Sequence, residues 1–182
     1  ELIFEEKSEA FTVGIDLSSD DKYFFITTSD HNTSEQYYFD VNEKNPQPKL
    51  IKKREKGIIY SVNSWDGKFY NQTNEEAEDF KIDIADNLEK PDWKKFIAAK
   101  EEVLIGGLTF LNNWIIRSET SDALDKLFVK NITTGIEEEL LFSDENVYVP
   151  GVSLVQRDKN TDEIYLGYSS PKTQSRIYSY NL

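Results

Sequence analysis

The chain has 182 residues, enough to bury one substantial core, so one domain or one large piece of a domain is expected. Its formal charge of −13 argues against binding nucleic acid or an anionic membrane, both of which need a basic surface to displace counterions, and favours cationic partners. A composition of 38% hydrophobic, 13% aromatic and 30% charged residues describes a packed core under a hydrated surface, with no apolar run long enough to cross a bilayer. The acidic first ten residues are unlike a signal peptide. There is no cysteine, hence no disulfide framework and no thiolate metal site, and a cytoplasmic location is the default expectation. There is also no methionine, not even at position 1, so a processed or excised piece of a longer protein is expected.

Short β-branched and aromatic runs alternate with Gly, Asp, Asn and Ser punctuation and nowhere form a helical stripe, which predicts an all-β fold. The first run, LIFEE from Leu2, reads as a strand without a blade of its own before it. Four segments then repeat one order of parts at a spacing of ~45 to 50 residues, the period of four-stranded propeller blades. Their second strands read KYFFITTSD, GKFYNQTN, NWIIRSET and DEIYLGYSS, and their third strands EQYYFDVN, DFKIDIAD, KLFVKNIT and RIYSYNL. Tyr23, Phe69, Trp114 and Ile164 are expected at one equivalent position, and Tyr37, Phe80, Leu127 and Ile177 at another.

The blades are placed at residues 11–57, 58–102, 103–147 and 148–182, the last with three strands, and residues 1–10 as the outer strand of a preceding blade. Turns at Ser19, Asp66-Gly67 and Asn112-Asn113 supply residues that tolerate positive φ between first and second strands. The innermost strands contain IIYSV, VLIGGLTF and VPGVSLV, and Gly14, Gly106, Gly107 and Gly151 are expected where converging backbones crowd. Glu137, Glu138 and Glu139 before Leu140-Leu141-Phe142 read as a solubilising outer edge.

The only histidine, His31, lies in SDHNTS beside Ser29 and Asp30. Neighbours in an extended loop diverge, whereas a catalytic triad is assembled from distant segments, so a solvated loop histidine is the reading. Glu75, Glu76, Glu78 and Asp79 form an acidic loop that lacks the alternating carboxylates and fixed glycine of a calcium loop. Asp16, Asp66 and Glu119 sit at inconsistent places in their repeats, which speaks against a glycosidase pair. Asn32, Asn71 and Asn131 satisfy N-x-[ST] formally. No catalytic, metal or cofactor-binding residue is expected.

The run FEEKSEAFTVGIDLSSDDKYFFITTSDHNTSEQYYFD, then REKGIIYSVNSWDGKFYNQTNEEAEDFKI, then the closing YSSPKTQSRIYSYNL resemble the later propeller blades of the prolyl oligopeptidase family of serine peptidases, in its oligopeptidase B (protease II) branch. The resemblance extends over nearly all of the chain, and Thr33-Ser34-Glu35 favours that branch. It implies part of a seven-bladed β-propeller whose partner is an α/β-hydrolase peptidase domain of the same polypeptide, cleaving short cationic peptides after Lys or Arg. The hydrolase nucleophile needs a G-x-S-x-G elbow, and none occurs here, so the chain itself is expected to be inactive.

Two functions follow as expectations: a non-catalytic domain that restricts access to the peptidase site, or a free-standing propeller serving as a protein-binding platform. Within each blade the loops at residues 30–34, 75–78, 121–125 and 171–175 should share one rim. That rim, with Asp30, His31, Thr33, Glu75, Glu76, Asp122 and Lys172, is the candidate interdomain surface. Four blades of seven leave two open flanks, for which an open arc and self-association of the fragment are expected.

Overall fold

A computed structural model describes residues 2–141, 148–154 and 159–182. Every regular element among them is a β-strand, and the strands form four antiparallel sheets. The first sheet holds β1 (Thr12–Leu17), β2 (Tyr23–Ser29), β3 (Ser34–Asp40) and β4 (Lys49–Lys52). The second holds β5 (Tyr60–Trp65), β6 (Lys68–Thr73), β7 (Lys81–Ala85) and β8 (Lys94–Ile97). The third holds β9 (Leu104–Leu111), β10 (Trp114–Ser121), β11 (Leu124–Asn131) and β12 (Glu137–Glu139), and the fourth β13 (Val149–Leu154), β14 (Glu163–Ser169) and β15 (Arg176–Asn181). In each sheet the strands pair in chain order, the meander that makes a propeller blade. Phe142, expected at an outer edge, and Val155, expected to end the fourth inner strand, lie outside the described residues.

Turn chemistry explains the tight connections. Asp66 and Gly67, with φ of 49° and 71°, form the two-residue hairpin whose backbone twist matches that of its strands, and Asp122 with Ala123, at 50° and 59°, repeats it between β10 and β11. Asp21 and Asn112 also adopt positive φ, at 59° and 42°.

The chain divides into two compact units, Glu1–Lys100 and Glu101–Leu182. In the first, Phe25 and Tyr38 of the first sheet pack on Tyr60, Val62, Phe69 and Leu88 of the second-sheet segment. In the second, Leu111, Ile116, Leu127 and Val129 pack on Ile164 and Leu166. Each core is thus filled face to face by two successive sheets, every large apolar side chain contributing about 1.5–3 kcal/mol of burial.

Polar seams close the same faces. Ser19 N–H donates to Asn63 Oδ1 at 2.8 Å and Ser64 Oγ donates to Asp20 Oδ2 at 2.8 Å. In the second unit Asn112 Nδ2 and Trp114 Nε1 donate to Asp162 Oδ1 at 2.6 and 3.0 Å.

Three expectations need correction. The third-strand positions do not share one register: Phe80, at φ 68°, precedes β7, and in β3 it is Tyr38, not Tyr37, that enters the core. Of the inner-strand glycines only Gly106 is crowded, since a Cβ there would meet Ser118 Oγ at 2.2 Å beside the β9–β10 bulge. At Gly14, Gly107 and Gly151 it would meet nothing within 4 Å. Residues 2–5 enter no sheet among the described residues; Phe4 packs against Tyr37 with ring centroids 4.8 Å apart and planes tilted by 56°, and Glu6 pairs with Arg54.

The β1 residues Val13, Ile15 and Leu17 are about half exposed, and so are Tyr178 and Tyr180 of β15.

Candidate functional site

The candidate rim is built in the first unit by the β2–β3 and β6–β7 connections. Asp30 Oδ1 accepts the Asn32 N–H at 2.9 Å, and the Asp30 N–H donates to the Thr33 carbonyl at 3.0 Å, closing a tight loop. The Asn32 N–H first, and then the Thr33 backbone and hydroxyl, hold the Asp30 carboxyl below the usual range. Thr33 is buried; its hydroxyl donates to Asn32 Oδ1 and accepts the Gly57 N–H at 3.2 Å, so its work is to stitch the loop to the segment entering β5. His31 is exposed at the tip.

Glu75 and Glu76 follow β6. Glu75 pairs with Lys52, which also reaches Glu55 at 3.5 Å, and Glu76 is exposed with φ at 55°. Asn74 ties this connection to the same segment entering β5, accepting the Ile59 N–H at 2.7 Å and donating to the Gly57 carbonyl at 2.9 Å. Asp30, Thr33, Glu75 and Glu76 therefore stand at one end of the first unit. In the second unit Asp122 occupies the β10–β11 turn, and exposed Lys172 lies in the β14–β15 connection, its backbone N–H on Ser170 Oγ at 3.1 Å.

Beneath the loops the two sheets of the first unit are locked by side chains. Ser34 Oγ donates to the Tyr60 carbonyl and accepts the Tyr60 N–H, both at 2.7 Å, and Gln36 Oε1 accepts the Val62 N–H at 2.7 Å. Arg54 gathers Glu6 at 2.7 Å and Glu35 at 3.6 Å, with its guanidinium 4.1 Å from the Phe11 ring centre. This cluster straps residues 4–11 to the first sheet. The Ser8 backbone N–H and then Arg54 hold the Glu6 carboxyl below its ordinary range.

The sequence reading missed three interior polar groups. Arg117, 2% exposed, bonds Glu119 at 2.8 Å and Glu137 at 2.8 Å, which removes Glu119 from any catalytic pairing. Glu35 is buried beside Arg54. Asn71, singled out only as a formal glycosylation acceptor, is 9% exposed within β6, and its Oδ1 has no hydrogen-bond partner. The available signal was alternation: Phe69, Asn71 and Thr73 share one face of β6, and Ile115, Arg117 and Glu119 one face of β10, so polar residues sit where core residues alternate.

The sequence model described as the prolyl oligopeptidase N-terminal β-propeller domain matches residues 1–182, the whole chain. The chain belongs to this family. Among similar proteins, a dipeptidyl aminopeptidase BI of Pseudoxanthomonas mexicana is 26% identical over 183 residues, covering 99% of this propeller chain and 25% of that protein. Protease 2 of Moraxella lacunata is 26% identical over 194 residues, covering 100% and 26%. The propeller chain thus spans about a quarter of the length of these relatives. Among solved structures, oligopeptidase B of Trypanosoma brucei, in a closed form with covalently bound antipain, superimposes with a TM-score of 0.89 at 22% identity over 98% of this chain and 27% of that one. Oligopeptidase B of Leishmania major gives 0.84 at 19% identity, with 98% and 27% covered. The four sheets are therefore consecutive propeller blades.

Proposed function

We propose that the chain is the non-catalytic propeller portion of a cytoplasmic serine oligopeptidase that cleaves short peptides after Lys or Arg, and that it restricts access to a peptidase domain of the same polypeptide. The observation that supports this reading is the match of the family's propeller domain to the entire chain, which itself contains no G-x-S-x-G elbow. A folded protein cannot pass a narrow channel or a transient interdomain gap, whereas an extended peptide can. The propeller's part in specificity is therefore exclusion by size.

The test is made on the polypeptide read past Leu182. A downstream G-x-S-x-G followed by Asp and His is expected, with cleavage of short Lys and Arg peptides and none of folded proteins. Charge reversal at Asp30, Glu76 and Asp122 together is expected to loosen domain closure and admit larger substrates. An extension without the elbow, or a substrate-size limit that survives removal of the propeller, refutes the reading. The isolated 182-residue chain is expected to show no turnover of Arg or Lys substrates; turnover that survives His31→Ala contradicts this.

Self-association of the isolated chain is also expected, because Val13, Ile15 and Leu17 of β1 and the β15 edge present apolar surface and unpaired backbone groups to water. A monodisperse monomer by light scattering at high concentration refutes it.

A further inference from the structure

In the first unit a crevice of about 350 Å³ opens between β4 of the first sheet and the β6–β7 face of the second. Its lining includes Lys52, Asn71, Glu76, Lys81, Asp83 and Trp93. We propose that this crevice binds the guanidinium group of an arginine side chain carried by a peptide. The assignment rests on hydrogen-bond capacity and charge, and is independent of the peptidase reading.

The cationic donors of the crevice are engaged. Lys52 is held by Glu75 and Glu55, and Lys81 Nζ lies 3.3 Å from Asp83 Oδ2. Acceptors are in excess. Glu76 makes no ion pair among the described residues, and Asn71, 9% exposed, has an Oδ1 without a partner. With Glu75, Glu76 and Asp83 against Lys52 and Lys81, the lining is net acidic.

A buried carboxamide oxygen is satisfied only by a donor, and an acidic lining selects a positively charged one. No three carboxylates converge closely enough to hold a metal ion among the described residues, and the mixed amide, carboxylate and aromatic lining suits an organic cation. A guanidinium suits better than an ammonium. Its planar fork reaches an amide oxygen and a carboxylate together, and its face packs on an aromatic wall such as Trp93. The terminal torsion of asparagine is soft, so Asn71 Oδ1 turns toward the ligand at small cost.

The probe is N-acetyl-arginine amide, titrated into the ¹⁵N-labelled chain. Saturable shifts confined to the Asn71 side-chain amide, the Trp93 indole N–H and backbone amides of β6 and β7 are expected. Binding should weaken by about tenfold in Asn71→Ala, the loss of one charge-assisted hydrogen bond, and severalfold in the exposed variant Glu76→Gln, which leaves the core intact. His31→Ala should bind normally, and N-acetyl-lysine amide more weakly. Shifts that fail to saturate, that spread over the acidic surface, or that persist unchanged in both Asn71→Ala and Glu76→Gln overturn the proposal. Repeating the titration on the longer polypeptide separates the sources of the arginine. Binding retained there assigns a free peptide, and binding lost there but kept in the 182-residue chain assigns an arginine of the same polypeptide.

Discussion

Arg117→Ala is expected to destabilise the second unit by about 3–5 kcal/mol, the cost of removing one partner from a buried ion pair. Arg117 and Glu119 are 2% and 4% exposed, so water cannot replace the lost guanidinium at Glu119. The Arg117 Nε and Nη2 both reach Glu119 Oε1, at 2.9 and 2.8 Å, and the fork closes on Glu137 with Nη1–Oε2 at 2.8 Å and Nη2–Oε1 at 3.0 Å. The guanidinium also lies 4.9 Å from the Phe128 ring centre. Glu137 tolerates the loss better, because it is 28% exposed and keeps Lys130 at 3.7 Å. The paired variant Arg117→Met with Glu119→Leu should recover most of the stability, since apolar replacement of both partners removes the stranded charge. Urea unfolding with hydrogen exchange at β10 and β11 amides measures both. A single-variant loss below about 1 kcal/mol would show that the network is energetically neutral.

The same network shows why part of the molecule could be read from sequence and part could not. The second strands were legible because YFFITT, FYNQT, WIIRSE and IYLGYS carry β-branched and aromatic residues between turn residues whose positive φ is a local property. The third strands were legible as strands and not in register. A one-residue offset exchanges the faces of a strand, so Tyr37 and Tyr38 swap roles with no change in composition. LIFEE has a strand's composition, yet Phe4 and Glu6 find Tyr37 and Arg54 by packing across 33 and 48 positions. Asp30, His31 and Glu76 were placed in loops by local polarity. Alternation puts Asn71 on the face of Phe69 and Arg117 on that of Ile115, but it marks a face and not its burial, which at a polar position depends on what packs opposite.

Tyr60→Phe is expected to cost the first unit about 2–4 kcal/mol, far more than the loss of one exposed hydroxyl, because the Tyr60 OH serves three backbone groups. It accepts the Gln36 N–H at 2.8 Å and the Lys52 N–H at 3.2 Å, and donates to the Lys52 carbonyl at 2.5 Å, beside the register shift between β3 and β4. Tyr60 is 3% exposed, so phenylalanine fills the same space and strands donors that water reaches poorly.

The hydroxyl also imposes a pH dependence. Burial pushes the Tyr60 phenol up to about 12, as it does that of Tyr70, against an ordinary value of about 10. The folded state therefore holds these protons to higher pH than the unfolded state does. Below about pH 10 both states are protonated and the contribution is complete; between about pH 10 and 12 the unfolded chain ionises first and stability falls. Urea midpoints at pH 8, 10 and 11 should show the wild-type chain losing stability over the last interval, and Tyr60→Phe, already weaker at pH 8, losing less of it. A variant that matches wild type at pH 8 would show that the three bonds contribute nothing to holding β4 in place, and one that declines just as steeply in alkali would show that the alkaline loss comes from groups other than the Tyr60 phenol.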